Sequence, residues 1–240
     1  MLVILRKQQT AHRSWVRESA FGEWFLGTDT WINRVLKVAV DELQSLMPQT
    51  MDAYPTILDV GYGHGHSLLM LDERFRPEKI IGLDIDDGAA ERSAKKAEAC
   101  GCDVQLVVGS ATAMELPDAS VDMVFCHQTL HHVSDQAAAT AEFRRVLKPG
   151  GVLLLAESCK KFIYSVPVKL LFRHPMRVQK TDKEYVQLLR DSGFEIPPGN
   201  VSRPYYWWSR RDLGLFELLG RKIPEDKEET QVNIVAYRPA

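Results

Sequence analysis

Residues 57–65 read Ile-Leu-Asp-Val-Gly-Tyr-Gly-His-Gly, an apolar strand end that turns into glycine at every second position. Directly after it, Leu68, Leu69 and Leu71 begin a helical pattern. Passing from strand to helix through Gly61, Gly63 and Gly65 restricts a chain to few architectures. Glycines without Cβ atoms let a ligand lie close to the main chain. The exposed N–H groups and the following helix N-terminus suit an electron-rich group. Asp59 places a carboxylate at the mouth of the turn.

The same rhythm continues along the chain. Strand patterns at 56–60, 79–84, 103–108, 121–126 and 152–157 alternate with helical patterns near 65–75, 88–100 and 135–147. The last of these helices stops at Lys148-Pro149-Gly150-Gly151, where Pro and Gly cannot continue it. Nearly continuous apolar strands separated by helices imply a parallel sheet buried on both faces. A helix at about 182–192 ends at Gly193. Strand material at 201–208, a short helix at 209–220 and a final strand at 231–238 complete the pattern. The charged run Pro224–Thr230 reads as an exposed turn.

Residues 1–50 carry no strand pattern. From Thr30 to Met47, the residues Ile32, Val35, Leu36, Ala39, Val40, Leu43 and Leu46 recur at helical spacing, and Pro48 closes the segment. Trp15, Phe21, Trp24, Phe25 and Trp31 make the upstream stretch dense in aromatics. It reads either as a helix packed on the sheet or as a lid over a substrate pocket.

With 240 residues, 45% of them hydrophobic, the chain is long enough for one substantial core. A net charge of −2 gives no general attraction to nucleic acid. No apolar run approaches the roughly 20 residues that span a bilayer. Cys100, Cys102, Cys126 and Cys159 form no C-x-x-C pair and read as free thiols. With no export signal, a cytoplasmic location is expected.

A dinucleotide loop has the spacing G-x-G-x-x-G. Here His66 takes the place of its third glycine, and Gly65 comes one residue early. The observed D-x-G-x-G-x-G resembles the S-adenosylmethionine loop of class I methyltransferases. Asp84 ends the second strand 23 residues after Gly61. In both cofactor families an acidic residue there accepts ribose hydroxyls; a helix N-cap is the other reading, since Asp86 and Asp87 follow. Ile85 then lies against the adenine. Val108–Pro117 resembles the family segment G-D-a-x-x-L-P, with Ser110 in place of the usual Asp and with Ala111 and Thr112 beside the ring. Gln128-Thr129-Leu130-His131-His132-Val133 and Arg145-Val146-Leu147-Lys148-Pro149-Gly150-Gly151 resemble the small-molecule branch, near the ubiquinone and menaquinone methyltransferases.

The resemblance covers about residues 55–158. It implies an α/β, Rossmann-like three-layer sandwich whose seven-stranded, mostly parallel sheet has an antiparallel last strand. The chain is then one methyltransferase domain, with a helical lid at 1–50, a cofactor core at 55–158 and a substrate-side insertion with C-terminal strands at 159–240. The implied cofactor is S-adenosyl-L-methionine, held by Asp59, Gly61, Gly63, Gly65, Asp84, Ile85, Ser110, Ala111 and Thr112, with His127 offering its backbone carbonyl.

Methyl transfer from a sulfonium needs alignment of acceptor, methyl and sulfur, and a base only where the acceptor must lose a proton. His127 and His131 are the candidate bases, since histidine has an unperturbed pKa of about 6.5. His132 adjoins them, His64 and His66 point to solvent or cap the helix, and no metal site is expected. Cys126, Cys159 and Glu157 end strands near the crevice. Nucleic-acid amino methyltransferases resembling this fold carry Asn/Asp-Pro-Pro-Tyr after the fourth strand, where this chain has His127-Gln128-Thr129-Leu130. The pocket walls come from the aromatic N-terminus, from 160–180 and from Tyr205-Tyr206-Trp207-Trp208. They favour a small, largely apolar or aromatic acceptor, methylated on oxygen or carbon in preference to nitrogen. The basic and apolar mix at 160–180 offers membrane contact as a weaker reading. A non-catalytic cofactor-binding subunit and an NAD-dependent oxidoreductase are the competing functions.

Overall fold

A computed structural model describes residues 2–6, 16–47, 53–210, 219–220 and 229–240. Trp15, Pro48, the body of the helix expected at 209–220 and most of the turn at 224–230 lie outside the described residues. The strands are β1 Leu2–Arg6, β2 Thr56–Val60, β3 Lys79–Asp84, β4 Asp103–Val108, β5 Val121–His127, β6 Leu147–Ser158, β7 Val201–Ser202 and β8 Gln231–Tyr237. They form one sheet in the order β1-β4-β3-β2-β5-β6-β8-β7. Neighbours from β1 to β6 pair in parallel, and β8 runs antiparallel to both β6 and β7.

Period-two alternation sorts the strand residues between two cores. Ile57, Ile80, Met123, Phe125, Val152 and Leu154 pack on one face, with Leu68, Leu71 and Leu43. Leu58, Ile81, Val124, Cys126, Leu153 and Leu155 pack on the other, with Phe143, Tyr185 and Leu189. The covering helices are α2 Lys37–Leu46, α3 His66–Phe75, α4 Ala89–Ala99, α5 Gln136–Val146 and α8 Asp182–Asp191. A π-helical stretch, Trp31–Leu36, runs directly into α2. Three shorter helices complete the description: α1 Ala20–Leu26, α6 Lys160–Ile163 and α7 Val166–Leu171.

Three expectations are corrected. The sheet has eight strands, because residues 2–6 form a parallel edge strand on β4. A five-residue apolar run carries no period of its own, and it becomes a strand only against an open edge. The strand expected at 201–208 shrinks to Val201–Ser202, followed by a 3-10 turn at Trp207–Ser209. That turn is held by Ser209, whose Oγ accepts from the Tyr206 N–H at 3.0 Å. The Lys148–Gly151 turn is absorbed into β6, with a register shift in the pairing of β5 and β6.

The N-terminal segment divides its two expected roles. Leu36, Ala39, Val40 and Leu43 bury α2 and the turn before it against the sheet. The shorter α1 sits elsewhere, capped by Ser19, whose Oγ accepts from the Gly22 N–H at 2.9 Å and donates to the Leu171 carbonyl. Glu18 accepts from the Arg173 N–H at 2.8 Å, so α1 is tied to the segment after α7.

Candidate active site

The ends of β2, β3, β4 and β5 open on one cavity of about 370 Å³. They flank the point where the strand order reverses, the usual place for ligands in open α/β sheets. The glycine turn forms its floor. Gly61, Gly63 and Gly65 hold φ of +78°, +46° and +77°, a region that residues with a Cβ enter only at a cost. A Cβ on Gly61 would strike the Thr129 side chain, and one on Gly65 would lie 2.7 Å from the Ser93 Cβ. A Cβ on Gly63 would meet nothing nearer than 3.9 Å. Two of the glycines therefore serve packing, and Gly63 presents bare backbone beside open space.

Asp84 accepts the Gly63 N–H at 2.9 Å on one carboxylate oxygen and the Asp86 N–H at 2.9 Å on the other. It joins the end of β3 to the glycine turn and does not cap α4, whose N-cap is Gly88. Burial pushes its carboxyl up to about 6, against those two N–H donors. Asp59, 1% exposed, accepts the Ser67 hydroxyl at 2.5 Å. Burial pushes it up to about 7, and Asp84 adds to the rise. Such a pair is completed by a ligand that donates hydrogen bonds or carries positive charge.

Asp59, Gly61, Gly63, Asp84, Ile85, Ser110, Ala111, His127 and His131 all line the cavity, whereas Gly65 and Thr112 do not. Thr112 instead bonds Ser110, hydroxyl to hydroxyl at 2.8 Å. His64 and His66 line the cavity too, contrary to the solvent-facing or capping position expected, and α3 has no side-chain cap. His127 lies in a buried strand with Nε2 lacking a hydrogen-bond partner and Trp31 at 5.5 Å between ring centres. Burial, aided by His131, pushes its imidazole down to about 3. The ordinary pKa that would suit a base at neutral pH therefore does not apply to His127. Cys126 and Cys159 are fully buried, and burial raises both thiols well above the usual range.

Glu157 organises the loop after β5. One carboxylate oxygen accepts the Thr129 and Leu130 N–H groups at 3.0 and 2.7 Å, and the other lies 2.5 Å from His131 Nδ1. Gln128, at φ +51°, is held between Ser158 and Gln231 by bonds of 2.6 and 2.9 Å. Phe21 and Phe25 of α1 pack edge-on against Phe172 at 5.5 and 6.0 Å and form the cavity roof. Trp207 and Trp208 close another side. Glu18, Gln128 and His174 also line the cavity, and the residue pattern alone singled out none of them. They arrive from separate segments, and no local motif surrounds Glu18 or His174.

The methyltransferase-domain family matches residues 58–155. Phosphoethanolamine N-methyltransferase 3 of Arabidopsis thaliana is 29% identical over 179 residues, 74% of this chain and 35% of that protein. A probable S-adenosylmethionine-dependent methyltransferase of Mycolicibacterium smegmatis is 31% identical over 148 residues, covering 58% of this chain and 52% of its own length. The 27-O-demethylrifamycin SV methyltransferase of Amycolatopsis mediterranei is 33% identical over 119 residues, 49% of this chain and 43% of that protein. The chain thus spans about a third to a half of the length of these relatives. Among solved structures, a SAM-dependent methyltransferase of Aquifex aeolicus superposes with a TM-score of 0.63 at 19% identity, covering 90% of this chain and 96% of that one. The [4+2]-cyclase SpnF superposes equally well, at 0.63 and 19% identity over 85% of this chain and 80% of its own. Both likenesses concern the fold.

Proposed function

We propose that this chain acts as a class I S-adenosylmethionine-dependent methyltransferase of the small-molecule type, in keeping with its similarity to that family, and moves the methyl group to a small, largely apolar or aromatic acceptor, on oxygen or carbon in preference to nitrogen. The observation that carries this reading is the continuity of the cavity. It runs from the Asp84 and Gly63 backbone corner to a roof of Phe21, Phe25 and Phe172, so donor and acceptor fit in one enclosure.

The residues present suit the cofactor. Asp84 keeps carboxylate lone pairs for the two ribose hydroxyls after its bonds to the N–H groups of Gly63 and Asp86. Gly63 leaves space for close approach along the turn. Ile85 and Ala111 supply apolar contact for the adenine, with the Ser110 hydroxyl at its edge. Asp59, buried beside the glycine turn, would favour a positively charged part of the cofactor. When bound, the cofactor would supply an electrophilic sulfonium methyl, whose transfer to the acceptor leaves the sulfur as a neutral thioether.

The rest of the site orients and excludes water. Trp31 and the α1 phenylalanines cover the acceptor end, and the Ser19 and Glu18 contacts hold that cover in place. An aromatic acceptor stacks within this wall and loses less freedom on reaching the methyl group. His127, held neutral by burial, offers an unpartnered ring nitrogen for a hydrogen bond to the acceptor.

The test is transfer of a labelled methyl group from S-adenosylmethionine to a panel spanning phenols, quinols, aliphatic acids and amino alcohols. Turnover confined to the aromatic and apolar members supports the acceptor class. Turnover confined to charged amino alcohols overturns it.

A further inference from the structure

We propose that His131, His132 and His174 bind a divalent transition-metal ion of the zinc class at the acceptor end of the cavity. One ring nitrogen from each lies within 4.8 Å of the others. The ring centres are 4.4, 5.1 and 4.8 Å apart, so the three imidazoles form one close cluster. All three line the cavity. Zinc with N–metal bonds of about 2.0 to 2.1 Å sets tetrahedral nitrogens about 3.3 Å apart. Binding an ion would draw together nitrogens that now lie within 4.8 Å of one another; His174 stands between α7 and the 3-10 turn Met176–Val178.

Independent features prepare the three rings. The Nδ1 of His132 is buried without a hydrogen-bond partner, which is costly unless something completes it. His131 has its Nδ1 engaged by the buried Glu157 carboxylate at 2.5 Å, leaving Nε2 as its free nitrogen. A carboxylate behind a histidine is the usual means of fixing ring orientation at a metal. The His131 carbonyl is held in turn by the Gln179 side-chain amide at 2.8 Å. His174 brings the third ring to the cavity from the segment after α7. Charge is also provided for: Glu157 lies directly behind one ring, and a Glu18 carboxylate oxygen lies 3.7 Å from the Nε2 of another, His132. Together they match a dication.

Three histidines with a fourth position open to a cavity are the ligand set of a Lewis-acid site rather than of a closed structural one. The open position takes an oxygen donor. Ion binding here is independent of methyl transfer; only the acceptor's own oxygen as fourth ligand rests on the proposed function.

The experiment uses tag-free full-length protein stripped with chelator and titrated with Co²⁺, followed by its visible absorption, with Zn²⁺ added in competition. The expected result is one equivalent of Co²⁺ per chain with the strong visible bands of four-coordinate cobalt, erased by Zn²⁺. His174→Asn and His132→Asn each weaken binding by about 100-fold or more while S-adenosylmethionine affinity stays within about threefold, which shows the fold intact. His66→Ala, altering a histidine of the same cavity outside the cluster, keeps the stoichiometry. Absence of Co²⁺ and Zn²⁺ binding at tens of micromolar would overturn the site. So would unchanged affinity in both asparagine variants, or equal loss in His66→Ala.

Discussion

The three loop glycines share a motif yet serve two purposes, and alanine substitution separates them. At Gly63 a methyl group has room within the protein, so Gly63→Ala costs only the strain of φ +46°, about 1 kcal/mol. Its cofactor affinity falls at least about tenfold, because the new methyl stands where the ligand meets the backbone. Gly61→Ala and Gly65→Ala push into Thr129 and Ser93 and lose about 2 to 4 kcal/mol of stability. Urea denaturation and calorimetric titration, run on all three, distinguish a binding defect from a folding defect. A second residue-scale expectation concerns pH. Asp84 and Asp59 are pushed up to about 6 and about 7 by burial. The charged carboxylates are the better acceptors of ribose hydroxyls, so cofactor affinity is highest above pH 7 and declines as pH falls through 6. The sign for stability is opposite. A raised carboxyl pKa stabilises the unliganded fold at low pH, and that contribution is lost as pH rises from about 4 to about 7. Asp84→Asn flattens the affinity profile between pH 5 and 7; an unchanged slope removes Asp84 from the cofactor site.

Among the elements, Arg145 shows what a motif conceals. In the sequence, Arg145–Gly151 accounts for a turn into the next strand. In the structure Arg145 also reaches across to the loop after β4, donating to the carbonyls of Leu116 and Met114 at 2.7 and 2.9 Å. It pairs with Glu142 at 2.7 Å, and Glu142 accepts the Met114 N–H at 2.6 Å. This clamp fixes the segment that begins at Ser110, beside the position proposed for the adenine. Arg145→Gln is expected to cost about 2 kcal/mol, with weakened cofactor binding and faster amide exchange over 110–118. Wild-type exchange there would show that the loop holds without its clamp. The helices α2 to α5 and α8 and the parallel strands β2 to β6 were legible because each carries its own apolar pattern over five or more residues. The edge strand at 2–6 and the shortened strand at 201–202 were not, since pairing partners rather than side-chain pattern determine them.

On the scale of the whole molecule, the central strands β2 to β6 and the proposed cofactor corner follow from one continuous stretch of chain, and for that reason the sequence reveals them. Strand ends, the glycine turn, Asp84 and Ser110 lie in a fixed order, and the parallel topology brings them to one crevice. The acceptor end is assembled differently. Glu18 precedes α1, His131 and His132 follow β5, and His174 follows α7, so long-range packing alone makes them neighbours. The depressed pKa of His127 is equally a product of packing, because Trp31, beside its ring, comes from a distant segment. The roof formed by α1 and the α7 segment links the two ends and makes the cavity one compartment. The most direct test of this account is calorimetric titration of the purified chain with S-adenosylmethionine and, separately, with NADH. One site of micromolar affinity for the sulfonium, lost in Asp84→Asn, and no heat with NADH is the expected result. Binding of NADH with none of the sulfonium would contradict the assignment of this cavity to methyl transfer.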